Sequence, residues 1–353
     1  MPLLERLAAR IAASGPLTID QYMSACLHDP QDGYYATRPA LGADGDFLTA
    51  PLVSQMFGEL LGVWVASAWR LAGAPARIRL VEMGPGDGTL MEDLLRAAGH
   101  APGFLDAADI WLVETSPPLA EQQRARLGRG VSWATSLEAV PAGAPLLLVA
   151  NELLDCLPAR QFVRTVTGWC EQQVGVTPRN KLTFRLEPAP ADLTLPDARV
   201  GEVFEHSSAQ EALGRTLGQR LTRDGGAALL IDYGRAQPSF GDTLQALRRH
   251  RKVHPLACPG EADLTVHADF PAVMAAAGQA GAVAAIQTQS AFLARLSIGE
   301  RAEALVRARP DQAGRIGRQL NRLIAGDQMG ELFKVCCLRH PDWIAPAFED
   351  IAP

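Results

Sequence analysis

The stretch Arg79-Leu80-Val81-Glu82-Met83-Gly84-Pro85-Gly86-Asp87-Gly88-Thr89-Leu90 constrains the fold of this chain more than any other. An apolar run from Ile78 to Val81 ends in a carboxylate, and glycines then stand at every second position. Leu90, Leu94 and Leu95 follow at the spacing of one helix face. Strand, tight turn, helix is the opening unit of a doubly wound α/β domain. Glycine has no Cβ, so such a turn lets a ligand lie close against the backbone.

The rest of the chain continues that rhythm. Apolar runs near Ile110 to Val113, Leu146 to Ala150 and Ala227 to Ile231 end in Glu114, Asn151-Glu152 and Asp232. Continuous apolar runs alternating with helices predict a parallel sheet covered on both faces. Residues 1–75 read as a helical region, with helices from Leu3 to Ala13, from a Thr18 cap to Leu27, and from Leu52 to Leu71. Residues 76–340 read as the α/β domain and 341–353 as a tail. Insertions are expected at about 160–205 and 235–270, after strands four and five. The first alternates like antiparallel strands, and the second mixes turns with a short helix near Leu244 to Arg249. Late helices are expected over roughly 268–279, 289–308 and 311–325, before a closing strand from Leu332 to Leu338.

Composition narrows the function classes. With 48% hydrophobic and 20% charged residues the chain can build a core. A net charge of −6 without a basic run disfavours a nucleic-acid partner. The six cysteines are scattered with no CxxC pair, which fits reduced thiols better than disulfides or zinc. MPLLERLAARIAASG is an amphipathic helix broken by Glu5, Arg6 and Arg10, unlike a signal peptide. No apolar stretch approaches the roughly 18 residues of a membrane span, so the expected setting is cytoplasmic. Oligomeric state is not legible.

Ligands of open α/β sheets bind outside the carboxyl ends of the strands. The Gly turn, Glu114, Asn151, Glu152, Asp155 and Asp232 are all expected there. A dinucleotide fingerprint reads GxGxxG, whereas Gly84, Gly86 and Gly88 follow Glu82 with the third glycine one position early. Glu114 lies 30 positions beyond Gly84, where a carboxylate can accept both ribose hydroxyls of NAD or of S-adenosylmethionine (SAM). Such a charge-assisted bond contributes roughly 1.5–3 kcal/mol. The polar loop from Gly42 to Ala50 reads as a surface connection or a lid. Asp263, His267, Tyr34 and Tyr35 fit caps and packing as well as they fit a site.

The EMGPGDGTL turn resembles the glycine motif of class I SAM-dependent methyltransferases. Five further blocks are similar to the MidA family, whose mitochondrial members are complex I assembly factor methyltransferases. They are GPLTIDQYM…GYY…GDFLTAP, VETSPPL, ANELLDCLPARQF, LLIDYG and GDTLQALRRH…PGEADLTVHADF. This resemblance spans Gly15 to about Val335 and implies a Rossmann-like, seven-stranded sheet. It implies SAM held at Gly84, Pro85, Gly86 and Gly88 beside Glu82, with Glu114 on the ribose. Asp46 and Thr49, in the GDFLTAP block, would close over the cofactor.

The implied reaction is methyl transfer to a protein arginine, with symmetric dimethylation in the mitochondrial members and a complex I subunit as the acceptor. A guanidinium is delocalised and stays charged, so its nitrogens are poor nucleophiles. Carboxylates paired to it orient one nitrogen and polarise charge onto the others. Glu152 and Asp155, three apart, suit that grip, with Asn151 beside them. Two other readings stay open at this level: a nicotinamide-dependent oxidoreductase, and a non-catalytic assembly factor that retains the fold.

Overall fold

The computed structural model describes residues 1–37 and 49–348. Among them seven strands form the central sheet: β1 (Ile78–Met83), β2 (Ala108–Val113), β3 (Val131–Ala134), β4 (Leu146–Asn151), β5 (Gly226–Arg235), β6 (Val283–Thr288) and β7 (Phe333–Arg339). Their spatial order is β3-β2-β1-β4-β5-β7-β6. All neighbouring pairs are parallel except those made by β7, which runs antiparallel to both β5 and β6. A short segment, Ala268–Asp269, lies parallel to the end of β5. The order reverses between β1 and β4, which opens a crevice at their carboxyl ends. This is the α/β class I methyltransferase sheet expected from the sequence.

Two-sided burial explains the continuous apolar runs. In β4, Leu147 and Val149 enter the core layer on one face of the sheet, while Leu146, Leu148 and Ala150 enter the layer on the other. β3 and β6 went unnoticed in the sequence because they are sheet edges. Their side chains are mostly half-buried; β3 is interrupted by Ser132, and the apolar part of β6, Val283 to Ile286, is short and rich in alanine.

The helix Gln55–Leu71 lies across the helix Thr89–Ala98, which follows the glycine turn. Two glycines allow the close approach. A Cβ on Gly62 would stand 2.3 Å from the Leu94 carbonyl oxygen, and one on Gly58 would stand 2.6 Å from the Asp93 Cβ. Trp64, wholly buried on this helix, donates its indole N–H to the Pro346 carbonyl at 2.9 Å. The chain beyond β7 is thereby packed onto the helix that backs the site, with Ala345, Ala347 and Phe348 buried.

The N-terminal helices are Leu3–Ser14 and Ile19–His28, the second starting after Thr18, whose N–H donates to the Gln21 side chain at 3.2 Å. The expected helix from Leu52 to Leu71 is divided. Ser54 is extended and caps Gln55–Leu71, accepting from the Met56 N–H at 3.3 Å, and Ala50–Val53 is a separate turn. The late helix expected over 289–308 breaks at Ser297, which has φ +64°.

The first insertion forms antiparallel strands Arg160–Thr165, Gly168–Val176 and Leu182–Pro188, joined by Val203–His206 and by Leu17–Thr18 from the N-terminal region. The second insertion corrects the reading near Leu244 to Arg249, which is no helix. Gln245–Arg248 is a strand, paired antiparallel with Arg251–Val253 and Asp263–Thr265. Arg249 and His250, at φ +52° and +60°, make the two-residue turn whose twist suits a hairpin. Cross-strand pairing therefore overrides the helix preference of Leu, Gln, Ala and Arg.

Gly62→Leu is expected to destabilise the protein by about 2–3 kcal/mol through overpacking against Leu94. Chemical denaturation would show a lower midpoint, and an unchanged midpoint would mean that the two helices do not depend on this approach.

Candidate active site

The carboxyl ends of β1, β2 and β4 surround a cavity of about 1010 Å3, counting its open mouth. Its lining includes Glu82, Gly84, Pro85, Gly86, Glu114, Thr49, Asn151, Glu152 and Asp155, so nine expected site residues converge there. Gly88 stands outside the lining and begins the next helix at φ +85°. Asp46 lies outside the described residues. His28, Tyr35, Pro51, Leu52, Asp87, Thr115 and Asp263 also line the cavity.

The glycine turn takes its shape from backbone conformations that only glycine adopts freely. Gly84, Gly86 and Gly88 have φ values of +67°, +54° and +85°. The Gly84 N–H donates to the Val113 carbonyl at 3.1 Å, which ties the turn to the end of β2. Any Cβ on Gly84 would stand 3.1 Å from the Leu153 Cδ1, so the turn and the segment after β4 pack against each other.

Glu114 is held at two points. One oxygen accepts from the Ser116 N–H at 2.7 Å and the other from the Gln123 side chain at 3.1 Å. Gln123 is wholly buried. It also donates to the Gly86 carbonyl at 2.7 Å and accepts from the Trp133 indole at 2.9 Å. One amide thus joins β2, β3 and the glycine turn. Nothing in the local sequence pointed to Gln123, since its role exists only where three elements meet.

The turn after β4 depends on Asp232 of β5, which is fully buried. One of its carboxylate oxygens accepts the N–H groups of Leu154 at 2.8 Å and Asp155 at 3.1 Å. The Glu152 N–H donates to the Ile231 carbonyl at 2.8 Å. With its turn anchored on both sides, Glu152 sits at φ +53°, a left-handed conformation that a side chain other than glycine rarely takes. Its carboxylate accepts from the Ala50 N–H at 3.2 Å and from the Asn151 side chain at 3.1 Å. Asp263, also in the lining, accepts from the Tyr35 hydroxyl at 2.8 Å.

These carboxylates share a desolvated space. Burial, with help from Asp87 and Glu114, pushes Glu82 up to about 8. Burial and the neighbouring Asp155 push Glu152 up to about 8. Burial also raises Glu114, Asp155 and Asp232 above the usual carboxylate range. Among the described residues one Glu82 oxygen has no hydrogen-bond partner and neither does the Asn151 side-chain oxygen. A crevice with this much unneutralised acid is built for donors and cations.

Residues 60–288 match the model of the family described as "Putative S-adenosyl-L-methionine-dependent methyltransferase". The chain belongs to this family. It is 35% identical to the protein named "Protein arginine methyltransferase NDUFAF7, mitochondrial" of Danio rerio, over 94% of this chain and 85% of the relative. The Homo sapiens protein of the same name is 34% identical over 96% of this chain and 83% of its own length. A crystal structure from Burkholderia thailandensis bound to S-adenosyl-homocysteine superposes with a TM-score of 0.86. It is 31% identical, covering 99% of this chain and 95% of that one. The family membership decides between the two ligands left open by the sequence, in favour of SAM. The curated relatives are named mitochondrial, which does not support the cytoplasmic setting expected from the sequence. No helix among the described residues is long and apolar enough to cross a membrane.

The raised carboxylates make stability depend on pH. A native value near 8 against about 4.5 unfolded means that the native state holds the proton more tightly. The associated stability is complete below about pH 4.5 and is lost as pH rises through 8. Glu82→Gln, measured without SAM, is expected to raise Tm by a few degrees at pH 8.5. The gain should shrink towards pH 4.5; an equal gain at both pH values would show that Glu82 is not held protonated by its surroundings.

Proposed function

We propose that this chain transfers the methyl group of SAM to an arginine side chain of a protein, with Glu152 and Asp155 holding the guanidinium. The observation that carries the reading is the pairing of a backbone-strained, desolvated Glu152 with Asp155 beside the glycine turn. The residues fit SAM. Gly84, Pro85 and Gly86 line the cavity, and Glu114 is fixed in place to accept ribose hydroxyls. Glu82, with one oxygen unpartnered, lines the same cavity and could accept from a polar group of SAM. Gly88 starts the helix behind the turn, and Thr49 lines the cavity.

When bound, SAM supplies an electrophilic methyl group on a sulfonium. The chain contributes orientation and exclusion of water. Asn151 and the Ala50 N–H hold one Glu152 oxygen, which leaves the other for the acceptor. A guanidinium bound beside them favours the ionised form of Glu152 and Asp155 over the protonated form that burial favours. The ionised pair draws charge away from the attacking nitrogen. The cation in turn relieves the like-charge crowding of the crevice. Symmetric dimethylation, and a respiratory complex I subunit as the acceptor, are the further parts of this proposal. The names of the relatives and the family resemblance support the arginine chemistry.

Two substitutions separate the roles. Glu114→Ala is expected to weaken SAM binding by roughly ten- to a hundred-fold, read by calorimetry. Glu152→Ala should leave SAM affinity within a few-fold of wild type and abolish transfer of labelled methyl to a protein arginine, read by mass spectrometry. Full methylation by Glu152→Ala would sink the guanidinium assignment.

A further inference from the structure

Glu152 lines a second cavity as well as the first. The second has a volume of about 1220 Å3, counting open space, and lies between the second insertion and the segment that leads into β7. Part of its lining is aromatic. Tyr233 meets His267 edge-on at 5.6 Å between ring centroids and meets Phe333 edge-on at 5.5 Å. Burial and nearby cations lower the His267 imidazole, so at neutral pH it presents an uncharged ring. Uncharged rings sharing a lining with a carboxylate suit a flat, delocalised cation better than a compact ammonium, because the ring faces carry negative electrostatic potential.

The exposed part of the lining has the opposite sign to Glu152. Lys252 comes to it from the second insertion and Arg322 from the helix Ala313–Ile324, with His250 close to Lys252 in the chain and Asp327 as the acidic exception. Arg322 ends a stripe with Arg315 and Arg318 on the helix Ala313–Ile324, at the spacing of one exposed face. Lys252, Arg315, Arg318 and Arg322 are exposed and have no ion pair among the described residues; Arg322 donates to the Gln328 side chain at 2.9 Å. In a chain of net charge −6 this cluster is set against the overall balance.

We infer that the acceptor arginine reaches Glu152 through this second cavity, and that the protein segment carrying it bears acidic residues on either side, held by Lys252 and Arg322. The inference rests on the arginine methyltransferase reading and names the acceptor's route and flanking charge. SAM enters from the glycine-turn side, and the two ligands meet at Glu152. The Glu152 carboxylate repels a nucleic-acid backbone, so a peptide with one central cation and acidic flanks matches both parts of the lining.

The test uses the full chain with S-adenosylhomocysteine and fluorescent peptides that share a central arginine and differ in their flanks. Peptides flanked by Asp and Glu are expected to bind about ten-fold tighter than Ala-flanked ones at low salt, the size of two or three rim pairs, with the advantage falling as salt rises. Lys252→Glu/Arg322→Glu should reverse the preference towards Lys flanks while keeping the affinity for S-adenosylhomocysteine. Equal binding of all flanks overturns the inference, as does a preference that survives the charge reversal. Displacement by an oligouridylate as effective as by unlabelled peptide also overturns it, as the mark of a general polyanion surface. Mass spectrometry with SAM keeps the two proposals apart. An acidic-flanked peptide that binds as expected but gains no methyl on arginine removes the reaction and leaves the docking route standing.

Discussion

Asp232 is the interaction on which the site depends. It is fully buried in the middle of the sheet, where a carboxylate is expensive unless its lone pairs are occupied. Three backbone N–H groups occupy them, from Leu154, Asp155 and Tyr233. Those bonds clamp the segment after β4 to the end of β5 and set the path on which Glu152 takes its left-handed conformation. A helix cap would place its carboxylate at a solvent-facing helix start. Asp232 instead organises backbone across two strands: of the residues it holds, Asp155 lines the first cavity and Tyr233 the second, and Glu152 on the same segment lines both.

The electrostatics follow from the topology. Parallel strands deliver their carboxyl ends, and the acids that follow them, to one side of the sheet. Burial then lifts Glu82 and Glu152 together, because each stands near other acids and no described arginine or lysine pairs with them. Elsewhere several buried acids are neutralised by arginine. Glu59 has Arg96 and Arg301, and Glu171 has Arg160. The crevice gathers several buried acids without such compensation. Both substrates of the proposed reaction carry the missing positive charge, SAM on sulfur and the acceptor on its guanidinium.

Local patterns were legible wherever one element carries its own signature. The glycine turn and the buried strands β1, β4 and β5 stand where periodicity and turn chemistry put them. Edge strands β3 and β6 were not legible, since β3 is broken by Ser132 and the short alanine-rich run of β6 suits a helix as well as a strand. The helix expected near Leu244 to Arg249 failed for a related reason. Its residues favour a helix in isolation, and the pairing with Asp263–Thr265 that makes them a strand lies beyond any local window.

By itself the sequence determined the α/β class, the glycine turn and the set of acids at the strand ends, because these are encoded by residues adjacent in the chain. Tertiary structure decided which of those acids share a desolvated space, that Gln123 ties Glu114 to Gly86, and that Glu152 stands between two cavities. It also brought Lys252 and Arg322 to one cavity from segments 70 positions apart. Burial and charge proximity are properties of neighbours in space, and folding alone creates those neighbours.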